Sequence, residues 1–142
     1  EIKVRITDLN YGGHLGNDSM LALLHEARVR YLKHFGYSEM DVEGTGIIMA
    51  DVAIQFKTEA FYAERLTIAI AVGDFSRVSF DIYYKVSSGS RDVAIAKTGI
   101  VFFNYEKKKV AAVPEKFRLK MESKDWCEID EFKMCIDYKH IT

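Results

Sequence analysis

Between residues 8 and 17 the chain reads Asp-Leu-Asn-Tyr-Gly-Gly-His-Leu-Gly-Asn. Three side chains in this stretch can move protons or orient polar groups: Asp8, Asn10 and His14. An imidazole titrates near neutrality, so His14 suits general acid–base work. Asp8 and Asn10 stand two apart, and in extended backbone that puts them on one side. Asp8 is a candidate to orient the imidazole. The Asn10 amide has no basic carboxylate, but it can orient a water or a carbonyl. Gly12 and Gly13 allow backbone to approach a ligand with no Cβ in the way. Unpaired N–H groups between Gly13 and Gly16, at the start of a following helix, would face a developing oxyanion. The chemistry these residues suit is attack of an activated water on a polarised carbonyl. The competing reading of His14 is an ordinary surface-loop histidine.

Such a loop works only if its flanks hold it. Upstream, Ile2, Val4 and Ile6 alternate with Lys3, Arg5 and Thr7, which predicts a short strand with one wet face. Downstream, the spacing predicts a helix from about Asp18 to Phe35, with Asn17 as N-cap and Gly36 as C-terminal stop. Asp18 and Ser19 suit the first turn, where an acid meets the positive end of the helix dipole. At about 100° per residue, Met20, Leu21, Leu24, Ala27, Tyr31, Leu32 and Phe35 fall on one wide arc, extended by Leu23. That width predicts a sheet packed over most of the helix. From residue 46 the period becomes two. Ile48, Ala50, Val52, Ile54 and Phe56 are expected on one face, with Met49, Asp51, Ala53 and Gln55 on the other. Leu66 to Val72 predicts the next strand, ending in a Gly73-Asp74 turn. Val78 to Val86 predicts another, closed by a hairpin at Ser87-Ser88-Gly89-Ser90. Val93 to Phe103 is apolar on both faces, so it is expected in the middle of the sheet or at a subunit interface. Pro114 suits the first turn of a last helical piece. One long helix followed by hairpin-linked strands makes an α+β domain with an antiparallel sheet.

Composition narrows the function classes. The chain has 142 residues, 49% of them hydrophobic, and a formal net charge of -1. It is large enough for one core and too apolar for disorder. The charge balance carries no footprint for nucleic acid or an anionic membrane, and Lys107-Lys108-Lys109 reads as a solvated surface. No apolar stretch reaches the length of a membrane span, and no leader is visible. Cys127 and Cys135 lack metal or redox spacing, so neither a metal nor a cofactor is expected, and both read as free thiols in a reducing compartment. The expected location is cytoplasmic.

The segment from Asp8 through the helix resembles the signature of the 4-hydroxybenzoyl-CoA thioesterase family. Asp8, Gly13, His14 and Asn17 fall in register with that family's loop, and Glu26, Ala27 and Arg28 with its helix. Phe56-Lys57 and Val113-Pro114-Glu115 match later positions, so the resemblance covers about residues 2 to 120. It implies a hotdog fold, in which a curved antiparallel sheet of about five strands wraps one long buried helix. Residues 1–120 would form that domain, with 121–142 an extension docked on it. It implies at least a homodimer, and by extension a dimer of dimers, with sheets joined edge to edge. The substrate would be an acyl-CoA or acyl carrier protein thioester, its pantetheine arm in a tunnel between subunits. Asn10, His14 and Asp8 would be the catalytic group. Gly12, Gly13, Leu15, Gly16, Asn17, Arg28 and Lys57 would bind substrate. Two positions depart from the pattern: Asn10 stands where a carboxylate is usual, and Gly16 where an asparagine is usual.

Other residues have competing readings. Glu26 and Arg30, four apart, suit a helix-face ion pair. Arg28 falls inside the apolar arc, where a guanidinium needs a partner. Asp51 is one candidate, and a contact fixing the loop or the dimer is the alternative. Lys57, Arg65 and Arg77 are candidates for the phosphates of CoA. His25, His34 and His140 read as structural. Two other functions compete with hydrolysis: a non-catalytic acyl-thioester-binding protein, favoured by Asn10, and a hotdog enoyl-thioester hydratase, for which Asp8-x-Asn10 fits but His14 is one residue too distant.

Overall fold

The hairpin-linked apolar segments pair into one antiparallel sheet in the computed structural model, which describes residues 2–3, 17–58, 65–122, 124–129 and 137–138. The loop at 8–16 and Cys135 and His140 lie outside the described residues. In chain order the elements are β1 (Ile2–Lys3), α1 (Asn17–His34), β2 (Gly46–Phe56), β3 (Arg65–Gly73), β4 (Ser79–Ser88), β5 (Arg91–Asn104), β6 (Lys109–Val110), α2 (Glu115–Met121), β7 (Trp126–Ile129) and β8 (Asp137–Tyr138). The strand order is β2-β5-β4-β3-β7-β8; β1 also pairs with β3, and β6 with β5. Four long strands make the body of the sheet, and α1 lies across one face. This is the α+β hotdog architecture that the sequence pattern and the resemblance together predict.

Helix α1 buries most of the arc expected of it, with Leu21 and Phe35 half-buried at its margins. Met20, Leu23, Leu24, Ala27, Arg28, Tyr31 and Leu32 are all buried. The helix begins at Asn17, so the expected cap residue already lies within it, a shift of one position that is ordinary at helix ends. Gly36 closes the other end at φ 83°. Its N–H donates to Lys33 O (3.0 Å) and the Tyr37 N–H donates to Leu32 O (2.8 Å), a Schellman ending.

Beneath α1, the inward face of the sheet carries Ile68, Ile70 and Val72 from β3, and Phe80, Ile82, Tyr84 and Val86 from β4. Across β5 the same rows continue through Ile100, Thr98 and Ala96. Phe117 of α2 plugs one end, its ring 5.1 Å from Phe80 and 5.4 Å from Phe102 between centroids. β5 is internal, flanked by β2 and β4, which explains its two apolar faces.

β2 departs from the expected alternation. Its pairing with β5 slips between Met49 and Asp51. Met49 opposes Ile100, and Val52 and Ile54 oppose Thr98 and Ala96, so all three share the inward face. Ile48 shares the outward face with Asp51, Ala53 and Gln55, not with Val52. A β-bulge adds one residue and reverses every side chain beyond it, which a strict period of two cannot foresee. The link from β3 to β4 is also longer than a tight Gly73-Asp74 turn: it runs from Asp74 to Val78.

Candidate functional site

The described part of the site starts at the first turn of α1. Every α-helix leaves its first N–H groups without intrahelical partners, and here they follow directly on the Gly-Gly-His-Leu-Gly segment. Burial of Met20, Leu23 and Leu24 pins this turn against the sheet. Helix packing therefore sets where those amides point. Asp8, Asn10, Gly12, Gly13, His14, Leu15 and Gly16 lie outside the described residues, as does the side chain of Asn17.

Further along α1, a polar chain crosses the core. Arg28 is 6% exposed. Its Nε donates to Glu39 Oε2 (3.2 Å), and its Nη1 donates to the Tyr84 hydroxyl (3.2 Å). The Tyr84 hydroxyl lies 2.9 Å from Thr98 Oγ1, which is also buried. The other Glu39 oxygen accepts from His25 Nε2 at 2.7 Å. Burial alone would raise the Glu39 carboxyl. The hydrogen bond from His25 and the Arg28 charge outweigh it and hold the group below the ordinary carboxylate range.

Asp51 is not the partner of Arg28. It sits on the outward face, where Oδ1 accepts from the Gly99 N–H (2.9 Å) and lies 3.5 Å from Lys97 Nζ. The bulge turns Asp51 away from the helix, and Glu39 takes its place. Sequence reasoning missed Glu39, since it belongs to the turn-rich segment after α1. It also missed Tyr84 and Thr98, whose hydroxyls hide within an apolar alternation. The expected pair of Glu26 with Arg30 does form, at 3.1 Å.

The inward edge of β2 is uncovered. Met49, Val52 and Phe56 are 47%, 38% and 39% exposed. Among the described residues no strand pairs with the free edge of β2.

Lys57 lies elsewhere. Its N–H donates to Val93 O (2.7 Å), and its side chain is exposed. With Gln55, Tyr83, Lys85, Ile95 and Trp126 it lines a cavity of about 590 Å³. By register Gln55, Ile95 and Lys85 form one outward row, and Ala53, Lys97 and Tyr83 the next. Arg28 and Lys57 thus lie on opposite faces of the sheet and do not converge within one chain. Among the described residues no cluster of three or more His, Cys, Asp or Glu could hold a metal ion, and no helix is long and apolar enough to cross a membrane.

Comparison with known proteins agrees with this architecture. The BH1999 gentisyl-coenzyme A thioesterase superposes with a TM-score of 0.75 at 18% identity, covering 84% of this chain and 96% of that one. The 1,4-dihydroxy-2-naphthoyl-CoA thioesterase Slr0204 from Synechocystis gives 0.74 at 21%, covering 84% and 91%. The AQ1494 protein from Aquifex aeolicus gives 0.77 at 19%, covering 85% and 96%. No curated protein matches the chain. The family model described as the Thioesterase-like superfamily matches residues 4–121. That span takes in the glycine-histidine loop, α1 and the long strands, and the chain belongs to the Thioesterase-like superfamily.

Proposed function

We propose that this protein hydrolyses an acyl-CoA, or acyl carrier protein, thioester to the free acid and thiol. The observation that carries the reading is the packed first turn of α1, which follows on the Gly12-Gly13-His14-Leu15-Gly16 segment in a chain of this superfamily. Unpaired amides between Gly13 and Gly16 would hold the thioester carbonyl oxygen as charge develops on it. Asn10 orients the water, and His14, oriented by Asp8, takes a proton as the water oxygen attacks the carbonyl carbon. The carbon–sulfur bond then breaks, and the proton returns to the departing thiolate. Leu15 and Arg28 shape and brace the site, and Lys57 meets a CoA phosphate. Two superposed proteins act on aromatic acyl-CoA esters, which makes aryl-CoA thioesters the first substrates to try.

The uncovered inward edge of β2 supports a homodimer joined there edge to edge, with the acyl site along the seam. Residues 1–120 are the working domain in this reading, and 121–142 an extension docked on it.

Thiol release from a panel of acyl-CoAs tests the activity. Folded His14→Ala protein should lose at least about 100-fold in kcat; undiminished turnover defeats the mechanism. A second reading, a non-catalytic thioester-binding protein, is favoured by the amide at Asn10. Saturable CoA-ester binding without thiol release would establish it.

A further inference from the structure

We propose that the cavity on the outward face of the sheet is a binding site for an adenine nucleotide. Its shape has a simple origin. The outward positions of β3 are small: Thr67, Ala69, Ala71 and Gly73. β7 pairs along the far edge of β3, with Cys127 opposite Ile70. Trp126 therefore falls opposite Ala71, in the row that continues to Tyr83 and Lys97. With nothing large on β3 between them, the indole and the Tyr83 ring line one space of about 590 Å³. Ligand pockets commonly span roughly 300–1,000 Å³.

The polar lining suits one kind of occupant. An indole face stacks a planar base. The Gln55 amide offers a donor beside an acceptor, the pair that matches the adenine edge. Asp92 can accept from ribose hydroxyls. Lys57 lies at the same cavity and supplies an ammonium for phosphate. Lys97 adds little free charge, being held by Asp51 and Asp81 at 3.5 and 3.8 Å. The Tyr83 hydroxyl donates to Asp74, so its ring is what the cavity receives. An aliphatic acid would leave the rings unused, and an uncharged base would leave the lysine unused.

Trp126 lies beyond residues 4–121, the span matched by the superfamily model. This wall is therefore supplied by a part of the chain outside the matched span. The inference does not rest on the chemistry of the loop, since binding is measured without turnover. The nucleotide has two possible sources: the 3′-phosphorylated ADP end of CoA, or a free adenine nucleotide.

Trp126 is the sole tryptophan, so its fluorescence reports on the cavity directly. The full chain would be titrated with adenosine 3′,5′-bisphosphate, CoA, AMP and ATP, with UMP for comparison. A saturable change is expected with adenine nucleotides and about tenfold weaker affinity for UMP. Gln55→Leu, a substitution at an exposed position, should weaken adenine binding about tenfold, and Lys57→Ala should flatten its salt dependence. Saturation by the bisphosphate and CoA alone assigns the site to the end of the substrate. Saturation by AMP and ATP as well assigns it to a free nucleotide. No saturable change with any adenine nucleotide at millimolar concentration overturns the proposal. So does unaltered binding in Gln55→Leu, or a fluorescence change that follows protein concentration alone, which would mean a second copy covers the face. Failure of thiol release would leave these outcomes readable, and the reverse holds too.

Discussion

Arg28 is a cation inside a hydrophobic helix arc, and its cost is met by Glu39 and the Tyr84 hydroxyl. Truncation to Met keeps the apolar stem and removes both hydrogen bonds. Glu39 is about one-third exposed, so water recovers part of the loss. Arg28→Met should therefore lower stability by about 2 kcal/mol in urea denaturation, not the larger value of a sealed pair. An unchanged midpoint would sink this account. The same cluster sets a pH dependence. The Glu39 carboxyl is lowered in the folded chain, so its contribution is complete above the unfolded value of about 4.3 and is lost as pH falls through the lower, folded value. Melting temperatures of the native chain and Glu39→Gln, followed from about pH 7 to about pH 3, should converge toward the acid end. A constant difference would refute the assignment. The burial of Arg28 is legible in the sequence, since position 28 falls within the apolar arc. Its partner is not, because Glu39 comes from a segment with no period to place it.

At the scale of elements, β2 and β5 are fitted closely to one another at Gly99. A Cβ on Gly99 would lie 2.7 Å from Asp51 Oδ1 and 2.9 Å from its Cγ. Asp51 is mostly exposed and can swing away, but it then gives up the Gly99 N–H. Gly99→Ala should cost about 1 kcal/mol by chemical denaturation, and a neutral result would show that the carboxylate does not fasten the bulge. The sequence made α1, the hairpin at Gly89 and the succession of long strands along the chain readable, since burial on one side imposes a period. It hid the bulge, because one added residue leaves composition unchanged while exchanging the two faces. It hid the outward cavity for a related reason: small residues on β3 mean little until register sets Trp126 beside them. The loop at 8–16 stands as the clearest sequence clue to the site, and its geometry lies outside the described residues.

At the scale of the whole molecule, one long strand edge, that of β2, has no strand beside it among the described residues, and its inward apolar side chains are part-exposed. An exposed edge of that kind invites pairing. If β2 joins a second copy, a charge placed on its inward face should separate them. Val52→Lys is expected to shift sedimentation from dimer to monomer while far-ultraviolet circular dichroism stays unchanged. The same sedimentation coefficient in both proteins would exclude β2 as the joint.

The opposite side of the sheet is finished differently. One edge of β3 receives β1 at Leu66 and Arg65, and β7 at Ile68 and Ile70. Two segments from far apart in the chain thus share one strand, end to end. The β3–β4 and β4–β5 hairpins close over short loops and can form early, whereas this edge must wait for closure of much longer ones. Among the described residues, the Ile68–Ile70 stretch of β3 gains its second neighbour only once residue 129 has emerged. β7, which emerges after all four long strands, is thus also the one that covers β3 at Ile68–Ile70.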